Sequence, residues 1–256
     1  MKLKLLSWNV NGYRAVLKKG FADFLMSARP DILGLQEVKS LPEQLKPEDT
    51  SFEGYDRIWN GAERKGYSGT AVFFRNSPLN SGKGFGQPRF DCEGRVITLE
   101  YDKFFFITCY FPNGGQGEER LRYKLDFYDE FLKYVNNLRQ AGKAVFFCGD
   151  VNTAHKPIDL EHPETNGDHT GFLPVEREWI DKVIASGWTD TFRHFCNEPK
   201  KYTWWDYKTR ARSRNVGWRL DYFFADNEHM QCVKNAFIMP EIQGSDHCPA
   251  GIDIEL

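Results

Sequence analysis

Eight segments of the chain are apolar at nearly every position or alternate with a period of two: 3–8, 32–36, 70–74, 95–101, 104–110, 144–149, 220–225 and 250–254. Both patterns predict strands, because successive strand side chains face opposite sides. The nearly continuous runs, such as Ala144-Val145-Phe146-Phe147-Cys148, predict strands covered on both faces. Segments 95–101 and 104–110 read as a hairpin over the short Asp102-Lys103 link. Helical spacing appears at 20–27, at 173–186 and over a longer stretch at 118–138, where Leu121, Leu125, Tyr128, Leu132 and Val135 form an apolar stripe. Pro174, with Glu176 and Glu178 behind it, marks a helix N-terminus. Helices are too few for strict βαβ alternation. The pattern therefore predicts an α/β fold of two mixed or antiparallel sheets packed face to face and flanked by helices, with active residues in the loops along one edge. Segments 39–68 and 153–172 are long, polar loops of the kind that carry function or stay disordered.

No repeat, low-complexity tract or linker divides the 256 residues, so residues 1–256 read as one domain with a large core. No run of eighteen apolar residues is present, which excludes a helical membrane span, and the first residues enter strand alternation without the sections of a secretory signal. The six cysteines show no C-x-x-C spacing and mostly sit in apolar runs. They read as free thiols in a reducing compartment, hence a cytoplasmic protein. The net charge of −2 says nothing for or against nucleic acid, since charge can be segregated by face. It is uneven along the chain: Lys208, Arg210, Arg212, Arg214 and Arg219 fall together with no acid among them, interleaved with Trp204, Trp205, Tyr207 and Trp218. Cations neutralise phosphates and aromatics stack on bases or line a sugar pocket, so this stretch reads as facing a polyanion, although the core could absorb some of its tryptophans.

Polar residues suited to a hard cation end several strands. Glu37 follows 32–36, Asp150 and Asn152 follow 144–149, and Asn9 follows 3–8. Carboxylates with amide oxygens suit magnesium or manganese; singly, each is equally an ordinary strand-end cap. Zinc is disfavoured, because His155 and His162 lack partners at ligand spacing. No phosphate-binding P-loop, dinucleotide fingerprint or serine-nucleophile elbow occurs. Asp221 sits at the head of an apolar strand, where an acid needs a partner; His247, in Gly244-Ser245-Asp246-His247, is one candidate. That pair is either a structural bond or a device that fixes the imidazole tautomer.

In chain order, Ser7-Trp8-Asn9-Val10-Asn11-Gly12-Tyr13-Arg14-Ala15, Leu35-Gln36-Glu37, Gly66-Tyr67-Ser68-Gly69-Thr70-Ala71, Glu93-Gly94-Arg95 and Tyr110-Phe111-Pro112-Asn113 resemble the exonuclease III family of DNA-repair nucleases, in the larger group that includes deoxyribonuclease I. The match continues through Gly149-Asp150-Val151-Asn152-Thr153-Ala154-His155, Ile158-Asp159-Leu160, 211–222 and 244–249, so it spans essentially the whole chain. The resemblance implies a four-layered α/β sandwich and a magnesium-dependent phosphodiesterase, with manganese a plausible substitute. It implies Glu37 as principal metal ligand, Asn9 beside it, and Asp246 in the metal's water network. Asp150 would orient or deprotonate the attacking water, and Asn152 would position it. Tyr110 and His247 would contact the scissile phosphate, with Asp221 holding His247 and Asn113 bonding the phosphate or the catalytic acid. Water would attack phosphorus in line, leaving a 3′-hydroxyl and a 5′-phosphate. Asn11, Arg14, Gln116, Asn166, His169, Lys208 and Arg212 would contact DNA, and Trp204, Trp218 and Leu220 would wall the pocket for an extrahelical sugar.

Three positions depart from members that incise at abasic sites. Trp204 stands in place of a smaller phenylalanine, His169 in place of an asparagine, and Gln116 in place of a longer cation; Lys208 also replaces an apolar wedge. These leave less room and less grip for an internal abasic site. The expectation is therefore a monomeric 3′→5′ exonuclease and 3′-end processing enzyme acting on double-stranded DNA at 3′ ends, nicks or damaged termini, with weak abasic incision. The alternatives are an abasic endonuclease, a phosphoesterase of the same fold acting on inositol phosphates or phospholipids, and a non-catalytic DNA-binding module.

Overall fold

The computed structural model describes residues 1–115 and 117–256. Its strands are β1 (Lys2–Asn9), β2 (Ile32–Gln36), β3 (Asp56–Asn60), β4 (Thr70–Phe74), β5 (Asn80–Lys83), β6 (Val96–Glu100), β7 (Phe104–Tyr110), β8 (Ala144–Asp150), β9 (Trp188–Asp190), β10 (Asp221–Asp226), β11 (Val233–Ile238) and β12 (Ala250–Glu255). The helices are α1 (Tyr13–Leu17), α2 (Phe21–Ala28), α3 (Pro88–Asp91), α4 (Glu118–Arg139), α5 (Pro174–Ala185) and α6 (Thr191–Phe195). The strands form two six-stranded sheets, ordered β11-β12-β1-β2-β4-β3 and β5-β6-β7-β8-β10-β9. Both are mixed: β1 runs parallel to β2 and β7 parallel to β8, and the remaining pairs are antiparallel.

Three layers of apolar side chains hold four layers of backbone together. Leu5, Ile32, Val72, Ile97, Phe106, Phe146 and Phe223 fill the space between the sheets. Leu6, Trp8, Phe21, Leu33 and Phe73 pack the first sheet beneath α1 and α2. Phe111, Phe131, Phe147, Trp179 and Ile180 pack the second beneath α4 and α5. The alternation Leu5/Leu6 and Ile32/Leu33 thus feeds two cores from one strand, which is why apolar residues stand at adjacent positions there. Gly34 lets the sheets approach: a Cβ there would lie 2.7 Å from the Thr108 side chain. The predicted sandwich is what forms.

The differences lie at the margins. The expected strands are all present, but β3, β5, β9 and β11 were not foreseen, and these four are the edge strands of the two sheets. β5 is exposed along its whole length and β3 at two of its five positions, so neither carries the apolar run that marks an inner strand. On α4 the buried face runs through Lys124, Phe127, Tyr128, Phe131, Leu132 and Val135, leaving Leu121 and Leu125 half-buried. Pro174 does open α5, where Glu176 accepts the Leu173 N–H at 3.1 Å. All six cysteines are free thiols. Among the described residues, no helix is long and apolar enough to cross a membrane.

Candidate active site

Register brings the polar strand ends together. In the first sheet Asn9 pairs with Gln36, the residue before Glu37, and Ser7 pairs with Ala250, just after the Asp246-His247 pair. In the second sheet Asp150 is opposite both Tyr110 and Asp221. Parallel pairs β1–β2 and β7–β8 end on the same edge, and antiparallel β10 and β12 begin there. Gly149 makes the exit from β8 possible: its φ is 139°, and a Cβ would lie 1.8 Å from the Cys109 carbonyl. Glu37 and Asn152 follow in the left-handed region, at φ 53° and 56°. Such backbone is costly outside glycine and is retained where surrounding contacts fix it.

The edge opens into a cavity of about 240 Å³. Glu37, Tyr110, Asn113, Asp150, Asn152, Asp246 and His247 line its polar side, and Trp204, Trp218 and Leu220 its apolar wall. Asn9 donates its amide hydrogens to Glu37 at 2.9 Å and to Asp150 at 2.8 Å, while its oxygen accepts the Asn11 N–H at 2.9 Å. That backbone donor fixes the amide's orientation, so Asn9 bridges two acids through its nitrogen and has the second lone pair of its oxygen left for a cation. Asn152 donates to the Phe111 carbonyl at 2.9 Å and to Asp150 at 3.2 Å, and accepts from Asn113 at 3.0 Å. Asp246 accepts from Asn11 at 3.0 Å and from the Trp204 indole at 3.2 Å.

His247 Nδ1 lies 2.8 Å from Asp221, and its Nε2 lies 3.8 Å from Asp150. Burial pushes the imidazole down, but Asp221 and Asp150 override it and hold His247 up at about 10. Burial pushes Asp150 up to about 7; His247 opposes that rise, and Asp221 and Glu37 add to it. Glu37 is held below its usual value although burial alone would raise it, chiefly because Lys39 stands 2.7 Å from its second oxygen. Lys39 escaped the sequence reading; its only signal is its place two residues after Glu37.

Four buried or half-buried carboxylates thus face one imidazole and one lysine. Asp221 Oδ1 is buried with no hydrogen-bond partner among the described residues. Oxygen of Asp150 and Asp221 and nitrogen of His247 lie within 4.8 Å of one another. The excess of hard oxygen donors and the orphaned oxygen fit a divalent cation. Asp221 stands behind His247 Nδ1 and outside the cavity lining, so the acids that face the cavity are Glu37, Asp150 and Asp246.

Other expected contacts stand elsewhere. His169 is exposed, pairs with Asp168 at 2.7 Å, and lies outside the cavity lining, where Thr170 and Gly171 form the wall instead. It therefore does not narrow the pocket. Arg212 points its terminal nitrogens inward, to the carbonyls of Ser245, Pro240 and Ile242, and lies over Trp205. It braces the loop that carries Asp246 and is not an outward cation. Arg219 is fully buried against Asp159 and Asp190, which removes it from the polyanion-facing stretch. Arg14 and Lys208 are exposed, and Asn166 donates to the His162 carbonyl at 2.8 Å. Gln116 lies outside the described residues.

Fold and site define a hydrolase built around a buried acid–imidazole cluster suited to a divalent metal. Residues 6–247 match the model of the Endonuclease/Exonuclease/phosphatase family, and the chain belongs to that family. It is 43% identical over 258 residues to an exodeoxyribonuclease of Bacillus subtilis, covering 99% of this chain and 100% of the relative. It is 41% identical over 260 residues to a DNA-(apurinic or apyrimidinic site) endonuclease of Dictyostelium discoideum, covering 100% of this chain and 71% of the relative. A 3′ phosphatase from Neisseria, solved with product DNA hairpin, superposes with a TM-score of 0.92 at 25% identity over 99% of this chain and 100% of its own.

Proposed function

We propose that the protein is a magnesium-dependent phosphodiesterase of double-stranded DNA that works mainly at 3′ ends, as a 3′→5′ exonuclease and 3′-end processing enzyme, leaving 3′-hydroxyl and 5′-phosphate products. DNA is the substrate class that the three relatives share in name. The observation that carries the hydrolytic reading is the meeting of Asp150, Asn152 and the Asp221–His247 pair in one cavity with Glu37.

Each residue then has a task its geometry allows. Asp150, raised toward neutrality, is a base matched to working pH and takes a proton from the attacking water. Asn9 and Asn152 hold its carboxylate from two sides. His247, kept protonated by Asp221, offers Nε2–H to a phosphoryl oxygen. Tyr110 is kept neutral, since burial and Glu37 raise it well above its usual value, so it too serves as a donor. Glu37 and Asp246 would hold the cation, which supplies Lewis-acid stabilisation of charge on the phosphoryl and departing oxygens.

The preference for 3′ ends rests on the wall. The Trp204 indole is tied to Asp246 and set edge-on to Trp218 with centroids 6.4 Å apart, so the bulky ring is fixed. A terminal nucleotide needs less extrusion than an internal abasic sugar to bring its phosphate past it. Abasic incision is the second reading, favoured by the position of His169 outside the cavity. Duplexes with a recessed 3′ end and with an internal tetrahydrofuran analogue, each assayed with magnesium, separate the two. Faster hydrolysis of the recessed end is expected; efficient incision at tetrahydrofuran contradicts the preference.

A further inference from the structure

Lys124 on α4 and Glu176 on α5 are both fully buried, and the hydrolytic steps above use neither. The Lys124 ammonium donates to the Asn152 carbonyl at 2.7 Å, the Thr153 hydroxyl at 2.9 Å and Glu176 Oε1 at 2.6 Å, which places all of its protons. Glu176 also accepts the Thr170 hydroxyl at 2.9 Å and the backbone N–H groups of Gly171 at 2.6 Å and Leu173 at 3.1 Å. Asn152, Thr170 and Gly171 all line the cavity.

A buried lysine–glutamate pair is a weak way to stabilise a fold, because desolvation offsets much of the attraction. Burial indeed pulls Lys124 below its ordinary value, with Glu176 opposing it. An apolar pair could fill the same space between the helices. What it could not supply is direction, and Asn152 needs direction. Its backbone is left-handed at φ 56°, its carbonyl is gripped by Lys124 and by the Thr153 hydroxyl at 2.8 Å, and its amide must meet Asp150 and Asn113 at once. The opposite end of the same pair sets the backbone of the wall that faces Trp218.

We propose that Lys124 and Glu176 form a positioning clasp that fixes Asn152 and the Thr170–Gly171 wall relative to each other, and so aligns the scissile phosphate. This rests on the reading of Asn152 as part of the hydrolytic site. A clasp with this role is separable from folding itself: Lys124→Met/Glu176→Met leaves no unpaired buried charge, and although the Gly171 and Leu173 N–H groups lose their acceptor and lower the stability, the protein still folds while the alignment is lost.

The test is steady-state cleavage of a recessed 3′-end duplex with magnesium, alongside urea denaturation and calorimetric magnesium binding to the DNA-free protein. For the double variant we expect kcat lowered by about tenfold to a hundredfold, with KM and magnesium affinity at the wild-type level and a denaturation midpoint that is lowered but still that of a cooperatively folded protein. Wild-type kcat in the folded double variant overturns the clasp. If the double variant does not fold, Thr153→Val and Thr170→Val decide together: the first removes a Lys124 acceptor along with the hydroxyl on the Asn152 carbonyl, the second a donor to Glu176 at the other end of the clasp. A kcat lowered at constant KM in both supports the proposal, while an unchanged kcat in either overturns it. Asn152→Ala is the control. Full activity there overturns the underlying reading of the site, whereas lost activity there with wild-type kcat in the clasp variants overturns the clasp alone.

Discussion

Residues 219 and 221 stand two positions apart, yet they belong to nests of buried charge with opposite character. Arg219 donates to Asp159 at 2.7 Å and to both oxygens of Asp190 at 3.2 and 2.7 Å, and Arg193 completes the group at 2.9 Å from Asp159. Two arginines meet two aspartates there, and every carboxylate oxygen accepts at least one hydrogen bond. Asp221 opens the other nest, where acids outnumber cations, one oxygen is orphaned and Asp150 is pushed toward neutrality. A balanced nest closes on itself and serves the fold. An unbalanced one is complete only with something added, which is how buried charge marks a site.

That contrast can be broken at either nest. The largest effect expected is from Asp150→Asn: turnover on duplex DNA falls about a thousandfold, while DNA binding by gel shift and the denaturation midpoint are retained. Wild-type turnover would remove Asp150 from the chemistry. In the other nest, Arg219→Met strands the buried Asp190, leaves Asp159 to Arg193 alone, and should cost about 3–5 kcal/mol of stability by urea denaturation. A smaller signature comes from pH. Burial would raise Asp159, but Arg219 and Arg193 hold it at about 2, below its unfolded value. Its stabilising contribution, about 2 kcal/mol, is therefore present above the unfolded carboxyl range and lost as pH falls through about 2. Asp159→Asn should abolish that share of the acid slope in a pH series of thermal melts. Least of all should follow from His169→Ala, which leaves both 3′-end hydrolysis and tetrahydrofuran incision within about twofold, as expected of an exposed surface substitution.

The inner strands were legible in the sequence and the edge strands were not, for one physical reason. β2, β4, β7 and β8 are covered on both faces and are apolar at most positions, whereas β5 is exposed at every position and has nothing to bury. The candidate acids were legible because they terminate those inner runs, Glu37 after β2 and Asp150 at the end of β8, whereas Tyr110, at the end of β7, was reached only through the family resemblance. Arg219 and Arg212 were misread because their partners are remote. Asp159 lies 60 positions from Arg219, and the carbonyls that hold Arg212 lie about thirty positions away, so a cation run looked solvent-facing when its members were already engaged. The amide direction of Asn9 depended on one backbone donor at Asn11, which no spacing reveals. The Lys124–Glu176 pair was hidden because the stripe expected on α4 began at Leu121 and Leu125, whereas the buried face begins at Lys124.

Calorimetric titration of magnesium into the DNA-free protein tests the unbalanced nest most directly. Wild type should bind the cation, Glu37→Gln and Asp150→Asn should bind it more weakly, and Asp190→Asn, in the balanced nest, should bind it as wild type does wherever it remains folded. Equal affinity in Glu37→Gln, Asp150→Asn and wild type would contradict the assignment of the cation to this cluster.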